Sequence, residues 1–216
     1  MAGQRRGEDV ITRPIIEVFA DIVCPFTHVG LRRLVERRNT IGFGSLLRVR
    51  AWPLELVNGE PLDAAFVGDE VRELRDQVAP DLFEGFDESQ FPQTSLPALA
   101  LASAAYAKSP ALGERMSLAL RTALFEDGRN IASPAVLDGI AREHGLALSD
   151  TLDRTAVLAD WDDGRRRGVM GSPHFFIDDE GFFCPALDIT REGEHLRITR
   201  DEIGFRRFLA RAFPTA

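Results

Sequence analysis

The most informative segment of the chain reads Asp21-Ile22-Val23-Cys24-Pro25-Phe26-Thr27-His28-Val29-Gly30. Before it, residues 15–20 read Ile-Ile-Glu-Val-Phe-Ala, a nearly uninterrupted apolar run that is typical of a central strand covered on both faces. After it, residues 31–38 read Leu-Arg-Arg-Leu-Val-Glu-Arg-Arg, which predicts a helix that ends near residues 39–42. Pro25 suits the first helical position because its missing N–H costs nothing there. The sequence therefore predicts Cys24 as the N-cap of this helix.

The predicted position of Cys24 bears on its chemistry. At an N-cap the sulfur would face the unpaired amides of Phe26 and Thr27, and both these amides and the helix dipole favour an anion. We therefore expect this thiol to ionise more easily than a free cysteine, and the thiolate is the reactive form. The alternative is a buried cysteine that serves as a small apolar side chain. The N-cap position favours the reactive thiol.

Three blocks of sequence resemble a known family. The string Cys24-Pro25-Phe26-Thr27-His28-Val29-Gly30-Leu31-Arg32-Arg33 is similar to thioredoxin-fold enzymes of the DsbA type, in particular their cytoplasmic FrnE-like branch. The block Gly168-Val169-Met170-Gly171-Ser172-Pro173-His174-Phe175-Phe176-Ile177 resembles the family's loop with a cis proline opposite the active-site cysteine. The segment Phe125-Glu126-Asp127-Gly128-Arg129-Asn130-Ile131 resembles part of its helical insertion. The resemblance implies an α/β, thioredoxin-like fold with a large all-helical insertion between the second and third core strands.

The sequence departs from the family at the fourth position of the usual Cys-x-x-Cys motif, where this chain has Thr27. A lone thiol can form only a mixed disulfide or a conjugate that another thiol must resolve. The Thr27 hydroxyl is expected to donate to the Cys24 sulfur and to stabilise the thiolate. The pattern is similar to monothiol relatives, and the architecture also resembles kappa-class glutathione transferases and 2-hydroxychromene-2-carboxylate isomerases. Those two groups carry a hydroxyl residue where this chain has Cys24.

The rest of the chain fits this architecture. Residues 46–52 alternate between apolar and basic side chains and predict a half-buried strand parallel to the first. The periodicity from residue 61 to residue 167 is helical. We therefore predict a thioredoxin-like domain from residues 14–60 and 168–216, with an inserted helical domain at residues 61–167. Two aromatic runs around residues 178–181 predict a hairpin, and Thr199 begins a capping-box sequence for a C-terminal helix.

The candidate site residues follow from these predictions. The expected catalytic residues are Cys24, Thr27 and His28. His28 is included because it lies one helical turn after the cysteine, on the same face of the helix. From there His28 could pair with the thiolate or protonate a leaving thiol, and a solvated or capping histidine is the alternative. The expected substrate-binding residues are Pro25 and Phe26 on the helix, and Ser172 and Pro173 on the loop. If Pro173 is cis, the Ser172 backbone would turn toward the cysteine and pair with an extended peptide or a small thiol.

The second cysteine, Cys184, is expected opposite Phe175 in the hairpin, as a buried structural thiol that could resolve a disulfide only if the loop moves. The residue types of Cys24, His28, His174 and Cys184 suit zinc. Their spacing does not, and we expect no metal site.

The composition and charge of the chain bear on its binding partners and on its location in the cell. The 216 residues carry a net charge of −8, which argues against a general nucleic-acid or anionic-membrane surface. Two cysteines and no signal-like apolar segment at residues 1–9 predict a cytoplasmic location.

We expect no tightly bound cofactor, with glutathione or mycothiol as a co-substrate. The partner would be a disulfide-containing or electrophilic small molecule or peptide, and a homodimer is one option for the oligomeric state.

Two functions from different classes fit the sequence. The first is a thiol–disulfide oxidoreductase or thiol-transferase with Cys24 as nucleophile, and a thiol-dependent isomerase or transferase is its close variant. The second is a binding or chaperone-like module that kept the fold but lost turnover together with the second cysteine of the motif.

Overall fold

The computed structural model describes residues 15–42, 45–147, 153–193 and 195–214, so the N-terminal segment discussed above lies outside the described residues. Its core is a four-stranded sheet in the order β2-β1-β3-β4. The strands are β1 (Ile16–Ala20), β2 (Leu47–Ala51), β3 (His174–Ile177) and β4 (Glu180–Phe183). As predicted, β1 and β2 are parallel, whereas β1 and β3 are antiparallel. This places the C-terminal end of β1 next to the N-terminal end of β3.

Two helices cover one face of the sheet. They are α1 (Pro25–Thr40), which follows β1 as predicted, and α8 (Glu202–Ala212) at the C-terminal end. Leu31 and Leu34 of α1 and Phe208 of α8 are buried against the side chains that β1 and β3 present to this face. The rings of Phe175 and Phe208 lie 4.9 Å apart, a distance typical of favourable aromatic contact. The prediction that the C-terminal helix covers the sheet is confirmed.

The predicted all-helical insertion lies between β2 and β3. Helix α2 (Leu54–Asn58) precedes the predicted insertion, whose helices are α3 (Ala64–Gln77), α4 (Leu96–Lys108), α5 (Pro110–Phe125), α6 (Pro134–Glu143) and α7 (Thr155–Arg166). Within the described residues no helix is long and apolar enough to cross a membrane. The division into domains at residues 60/61 and 167/168 stays a prediction.

Side chains from the insertion pair with the free edge of β2. The amide of Leu47 donates to Glu114 at 2.6 Å, and the amide of Val49 donates to the Tyr106 hydroxyl at 2.9 Å. Asp160 accepts from the third edge amide, that of Ala51, at 3.0 Å. An edge strand with unpaired amides could pair with another chain. Here the helices satisfy those amides, which fixes the insertion against the core.

The structure corrects the predicted hairpin in one respect. The turn between β3 and β4 is only two residues long, so His174 pairs with Phe183 and Phe175 with Phe182. Cys184 therefore lies beyond the strand, where its amide donates to the Pro173 carbonyl at 3.0 Å, and the expected position opposite Phe175 is wrong. The acidic residues at 178–180 suggested a longer turn, but residue 180 belongs to β4.

A second hairpin was not predicted. It consists of β5 (Leu187–Glu192) and β6 (His195–Arg200), which form a separate two-stranded sheet. Thr199 lies in β6, so it cannot cap α8; Asp201 is the N-cap instead, and its side chain accepts from the Gly204 amide at 2.8 Å. The capping box suggested by the sequence is therefore wrong by two residues.

Candidate active site

Cys24 is the N-cap of α1, as predicted, with Pro25 at the first helical position. Its side chain makes no capping hydrogen bond to the helix. Instead the Sγ atom donates to the backbone carbonyl of Ser172 at 3.1 Å. This contact joins residues 148 positions apart in the chain, and it places the sulfur at the junction of the start of α1 and the loop before β3.

The loop before β3 is tied to this junction through Ser172. The Ser172–Pro173 peptide bond is cis. The Ser172 hydroxyl lies 2.7 Å from the Thr27 hydroxyl, and it accepts from the Asp21 amide at 2.9 Å. The structure therefore brings together Cys24, Thr27, Ser172 and Pro173, which the sequence had placed in one site.

The acidity of Cys24 differs from the sequence-based expectation. Only 4% of the residue is exposed, and this burial raises the pKa of its thiol above the ordinary value. The hydroxyl and the amide of Thr27 act in the opposite direction because they favour the thiolate. Burial is the larger effect, since a thiolate loses its hydration in the interior. The expected easily ionised thiol is wrong for this structure, in which the neutral thiol donates to a carbonyl.

His28 does not pair with Cys24. Its Nε2 atom lies 2.5 Å from Oε1 of Glu126, at the end of α5. The imidazole is packed between Phe83 and Phe125, with ring centroids 5.3 and 5.1 Å away. Burial lowers the pKa of His28, and Glu126 opposes this effect. His28 therefore links α1 to the insertion, and the predicted ion pair with the thiolate is not formed.

The remaining expected residues lie close to this centre. Pro25 is buried, whereas Phe26 is half-buried and lines a narrow cleft together with Pro173 and Cys184. Cys184 is a buried free thiol, and burial raises its pKa to about 12. Cys184 is buried as expected, although its position in the hairpin differs, and its structural role stays a prediction. Among the described residues, no three His, Cys, Asp or Glu side chains converge as metal ligands would.

Three charged residues near Cys24 were not identified as site residues from the sequence. Asp21 is fully buried, and its carboxylate accepts from the Leu54 amide at 2.6 Å and from the Ser95 hydroxyl at 3.1 Å. Arg121 of α5 is also buried, and it donates to the Asp21 carbonyl at 3.0 Å. Glu70 of α3 lies close enough to Cys24 for its negative charge to oppose ionisation of the thiol and raise its pKa.

One of these residues could have been found from the sequence. Arg121 is four residues after Ser117 and three before Leu124, so it falls on the buried face of α5. A charge on a mostly apolar helix face, which Arg121 shares with the buried Glu114, is an unusual feature that indicates a role inside the protein. The Asp21 and Glu70 side chains carry no comparable signal, because their surroundings come from distant parts of the chain.

Comparison with known proteins gives one family. The profile described as a DSBA-like thioredoxin domain matches residues 15–195. Comparison with curated proteins finds no match.

Solved structures of low sequence identity share the fold. The cytosolic disulfide reductase DsbM from Pseudomonas aeruginosa, determined with GSH, is 18% identical with a TM-score of 0.61, and the match covers 78% of this chain and 88% of DsbM. A protein from Streptomyces coelicolor described as a probable DsbA oxidoreductase is 18% identical with a TM-score of 0.61, covering 94% of this chain and 92% of its own. A 2-hydroxychromene-2-carboxylate isomerase is 16% identical with a TM-score of 0.58, covering 78% and 88%.

Proposed function

The chain belongs to the family of DSBA-like thioredoxin domains, and on that premise we propose that it is a monothiol thiol–disulfide oxidoreductase with Cys24 as the nucleophile. The observation that carries this proposal is the contact between the Cys24 Sγ atom and the Ser172 carbonyl, 3.1 Å long, at the N-terminus of α1. It supports the proposal because the sulfur lies next to a backbone group that a substrate can also use.

The proposed reaction has two exchange steps. The Cys24 sulfur attacks one sulfur of a substrate disulfide, a mixed disulfide forms as the substrate S–S bond breaks, and the leaving thiolate takes up a proton. A second thiol then attacks the substrate sulfur of the mixed disulfide, a new disulfide forms between that thiol and the substrate, and Cys24 leaves as a thiolate that takes up the proton of the attacking thiol. Because the fourth motif position is Thr27, we assign this second step to a small thiol such as glutathione or mycothiol. The presence of GSH in the DsbM structure supports glutathione as the first thiol to test.

Ser172 provides a route by which substrate would activate the sulfur. Its carbonyl accepts from the neutral Cys24 thiol. An extended peptide or the backbone of a small thiol can donate an N–H to such a carbonyl in the way that a strand adds to a sheet edge. In the proposed mechanism this N–H replaces the thiol as donor, and Cys24 is left with the Thr27 hydroxyl and amide, which favour the thiolate.

The finer assignments belong to the same proposal. The FrnE-like branch is supported by the ten-residue string that starts at Cys24. A cytoplasmic location is supported by the two free cysteines and by the description of DsbM as cytosolic.

The test measures disulfide turnover and the formation of a mixed disulfide on Cys24. The full chain is incubated with hydroxyethyl disulfide and glutathione, and turnover is compared with that of Cys24→Ser and of a Cys184→Ser control. We expect turnover and a mixed disulfide on Cys24 by mass spectrometry, both absent in Cys24→Ser and both kept in Cys184→Ser. Thiol–disulfide exchange without added glutathione in Thr27→Cys would show that only the second thiol was missing.

The low exposure of Cys24 favours one second candidate, a binding module without turnover. A thiol that is 4% exposed and whose pKa is raised by burial has the properties of a structural cysteine. The two candidates give opposite results in the same experiment. Absence of any adduct on Cys24, together with disulfide exchange no faster than in Cys24→Ser, would rule out the oxidoreductase in favour of the binding module.

A further inference from the structure

Arg121 has an environment that is costly for a cation. It is 1% exposed on the inner face of α5, and guanidinium groups are almost never fully buried unless they are paired. Its Nη1 atom donates to the carbonyl and the hydroxyl of Ser117 at 3.0 and 2.6 Å, and its Nη2 atom donates to the Asp21 carbonyl at 3.0 Å. The buried Nε atom has no hydrogen-bond partner among the described residues.

This arrangement lacks the usual compensation for a buried charge. Within the described part of the chain, no carboxylate oxygen lies within 4.0 Å of the Arg121 nitrogens, although Arg38 and Arg50 both make such pairs. An uncharged side chain of similar volume would avoid the loss of hydration altogether. The guanidinium beneath the β1–α1 junction therefore has no contact ion pair and keeps one unpartnered nitrogen, so it can favour an anion that forms there.

Three acidic groups lie near enough to favour the charged guanidinium: Asp21, Tyr106 and Cys24. Tyr106 donates its hydroxyl proton to the Leu47 carbonyl at 2.9 Å, and burial raises its pKa, so the phenol stays neutral. The Asp21 carboxylate already accepts from two amides and the Ser95 hydroxyl. The Cys24 sulfur is the group among these whose charge changes during thiol–disulfide exchange.

The other groups around Cys24 do not supply a positive charge. Glu70 of α3 is an acid whose charge raises the pKa of the thiol. His28 of α1 is paired with Glu126, and burial lowers the pKa of its imidazole. Cys184, after β4, is a thiol whose pKa burial raises to about 12. Of the groups named, Arg121 is the one that is positively charged at neutral pH, although burial lowers its pKa to about 10.

We propose that Arg121 is a positioning residue for the thiol chemistry of Cys24: it holds the β1–α1 junction through the Asp21 carbonyl, and its charge stabilises the Cys24 thiolate as it forms. Burial raises the pKa of the Asp21 carboxyl, and Arg121 acts in the opposite direction. Its positive charge likewise favours a thiolate that forms at Cys24. This role rests on the proposed function, because it matters only if Cys24 reacts as a thiolate.

The test measures the thiolate directly and needs no turnover. Rates of Cys24 alkylation by iodoacetamide are measured from pH 6 to 9 in the full chain, below the pKa of about 10 to which burial lowers the Arg121 guanidinium. Peptide mass spectrometry identifies the modified residue. The variants are Arg121→Gln, which keeps a hydrogen-bond donor without the charge, and Arg121→Lys, which keeps the charge. The matched control is Glu114→Gln, which removes a buried charge from the same helix at its contact with Arg38.

Below the apparent pKa of the thiol, we expect alkylation in Arg121→Gln to be slower by about tenfold or more, since one pKa unit is a factor of ten in thiolate. Arg121→Lys should stay within about threefold of the wild type, and Glu114→Gln should not shift the profile. A folded Arg121→Gln whose pH profile matches the wild type overturns the proposal. If Arg121→Gln does not fold, the result for Arg121→Lys tests the proposal instead. A tenfold slower alkylation of Cys24 in Arg121→Lys, which keeps the charge, would overturn the proposal as well.

Failure of both variants to give a native circular dichroism spectrum would also overturn it, because Arg121 would then be a residue required for folding. The proposed function fails by a different measurement, the loss of exchange that depends on Cys24. An inactive protein whose alkylation profile still depends on the charge at position 121 would separate the two results.

Discussion

The substitution Glu70→Gln tests the electrostatics of the site through stability. Glu70 lies on α3 and lines a pocket of about 450 Å³ between this helix and the β5–β6 hairpin. Its carboxylate has no hydrogen-bond donor among the described residues, and burial raises its pKa from 4.5 to about 7 while Arg191 acts in the opposite direction. The charged form is therefore disfavoured in the folded protein.

The size of the expected change in stability follows from the rise in the pKa of Glu70. A rise from 4.5 to about 7 corresponds to about 3 kcal/mol between the two protonation states. The folded protein binds this proton more tightly than the unfolded chain, so the contribution of Glu70 to stability is fully present below pH 4.5 and is lost as the pH rises through 7. Glutamine stays neutral at every pH and does not lose this contribution.

The assay is urea unfolding of both proteins at pH 4.5, 6 and 8. We expect Glu70→Gln to match the wild type at pH 4.5 and to be more stable by up to about 3 kcal/mol at pH 8. The matched control is Asp69→Asn, on the same helix, where the carboxylate is 70% exposed and pairs with Arg72. Loss of an exposed pair should change stability by less than about 1 kcal/mol at each pH.

The same variant has a second, independent readout at the sulfur. Because the charge of Glu70 raises the pKa of Cys24, its removal should speed alkylation of Cys24 at pH 8 by several-fold. The reasoning is refuted if the stability curves of Glu70→Gln and the wild type run parallel from pH 4.5 to 8, since the carboxylate would then be hydrated in the folded protein.

Three further substitutions test the packing of the core and the site. Gly164→Ala should destabilise the protein by about 1–3 kcal/mol in urea unfolding, because a Cβ atom there would lie 2.6 Å from the Trp52 ring; unchanged stability would mean that the helix can shift. Thr27→Val should cost about 1–2 kcal/mol by the same assay, because it removes the buried 2.7 Å bond to Ser172, and a neutral effect would contradict this pairing. Cys184→Ala should leave the alkylation rate of Cys24 within about twofold, and a larger change would show that the two thiols are coupled.

The local order of elements was predictable because short stretches of sequence determine it. Pro25 specifies the start of α1, the apolar run at residues 15–20 specifies a buried strand, and Ser95 and Ser133 are observed as the N-caps of α4 and α6. The hairpin register was not predictable to the residue. The acidic residue at position 180 resembles part of a turn, yet Glu180 pairs with Ile177 in the β3–β4 ladder, and its carboxylate contacts Arg207 and Arg211 of α8. Backbone pairing within the sheet, which depends on tertiary context, differs here from the local preference.

The position of Cys24 at the start of α1 followed from the chain itself, because the strand, the proline and the helix are neighbours in the sequence. The acidity of the sulfur and its contacts depend instead on the folded protein. Burial, Glu70, Arg121 and the Ser172 carbonyl come from segments about 45 to 150 residues away, and the cost of removing a charge from water depends on all of them together. A helix terminus favours an anion over one turn, and this local effect is smaller than the loss of hydration that the whole fold imposes.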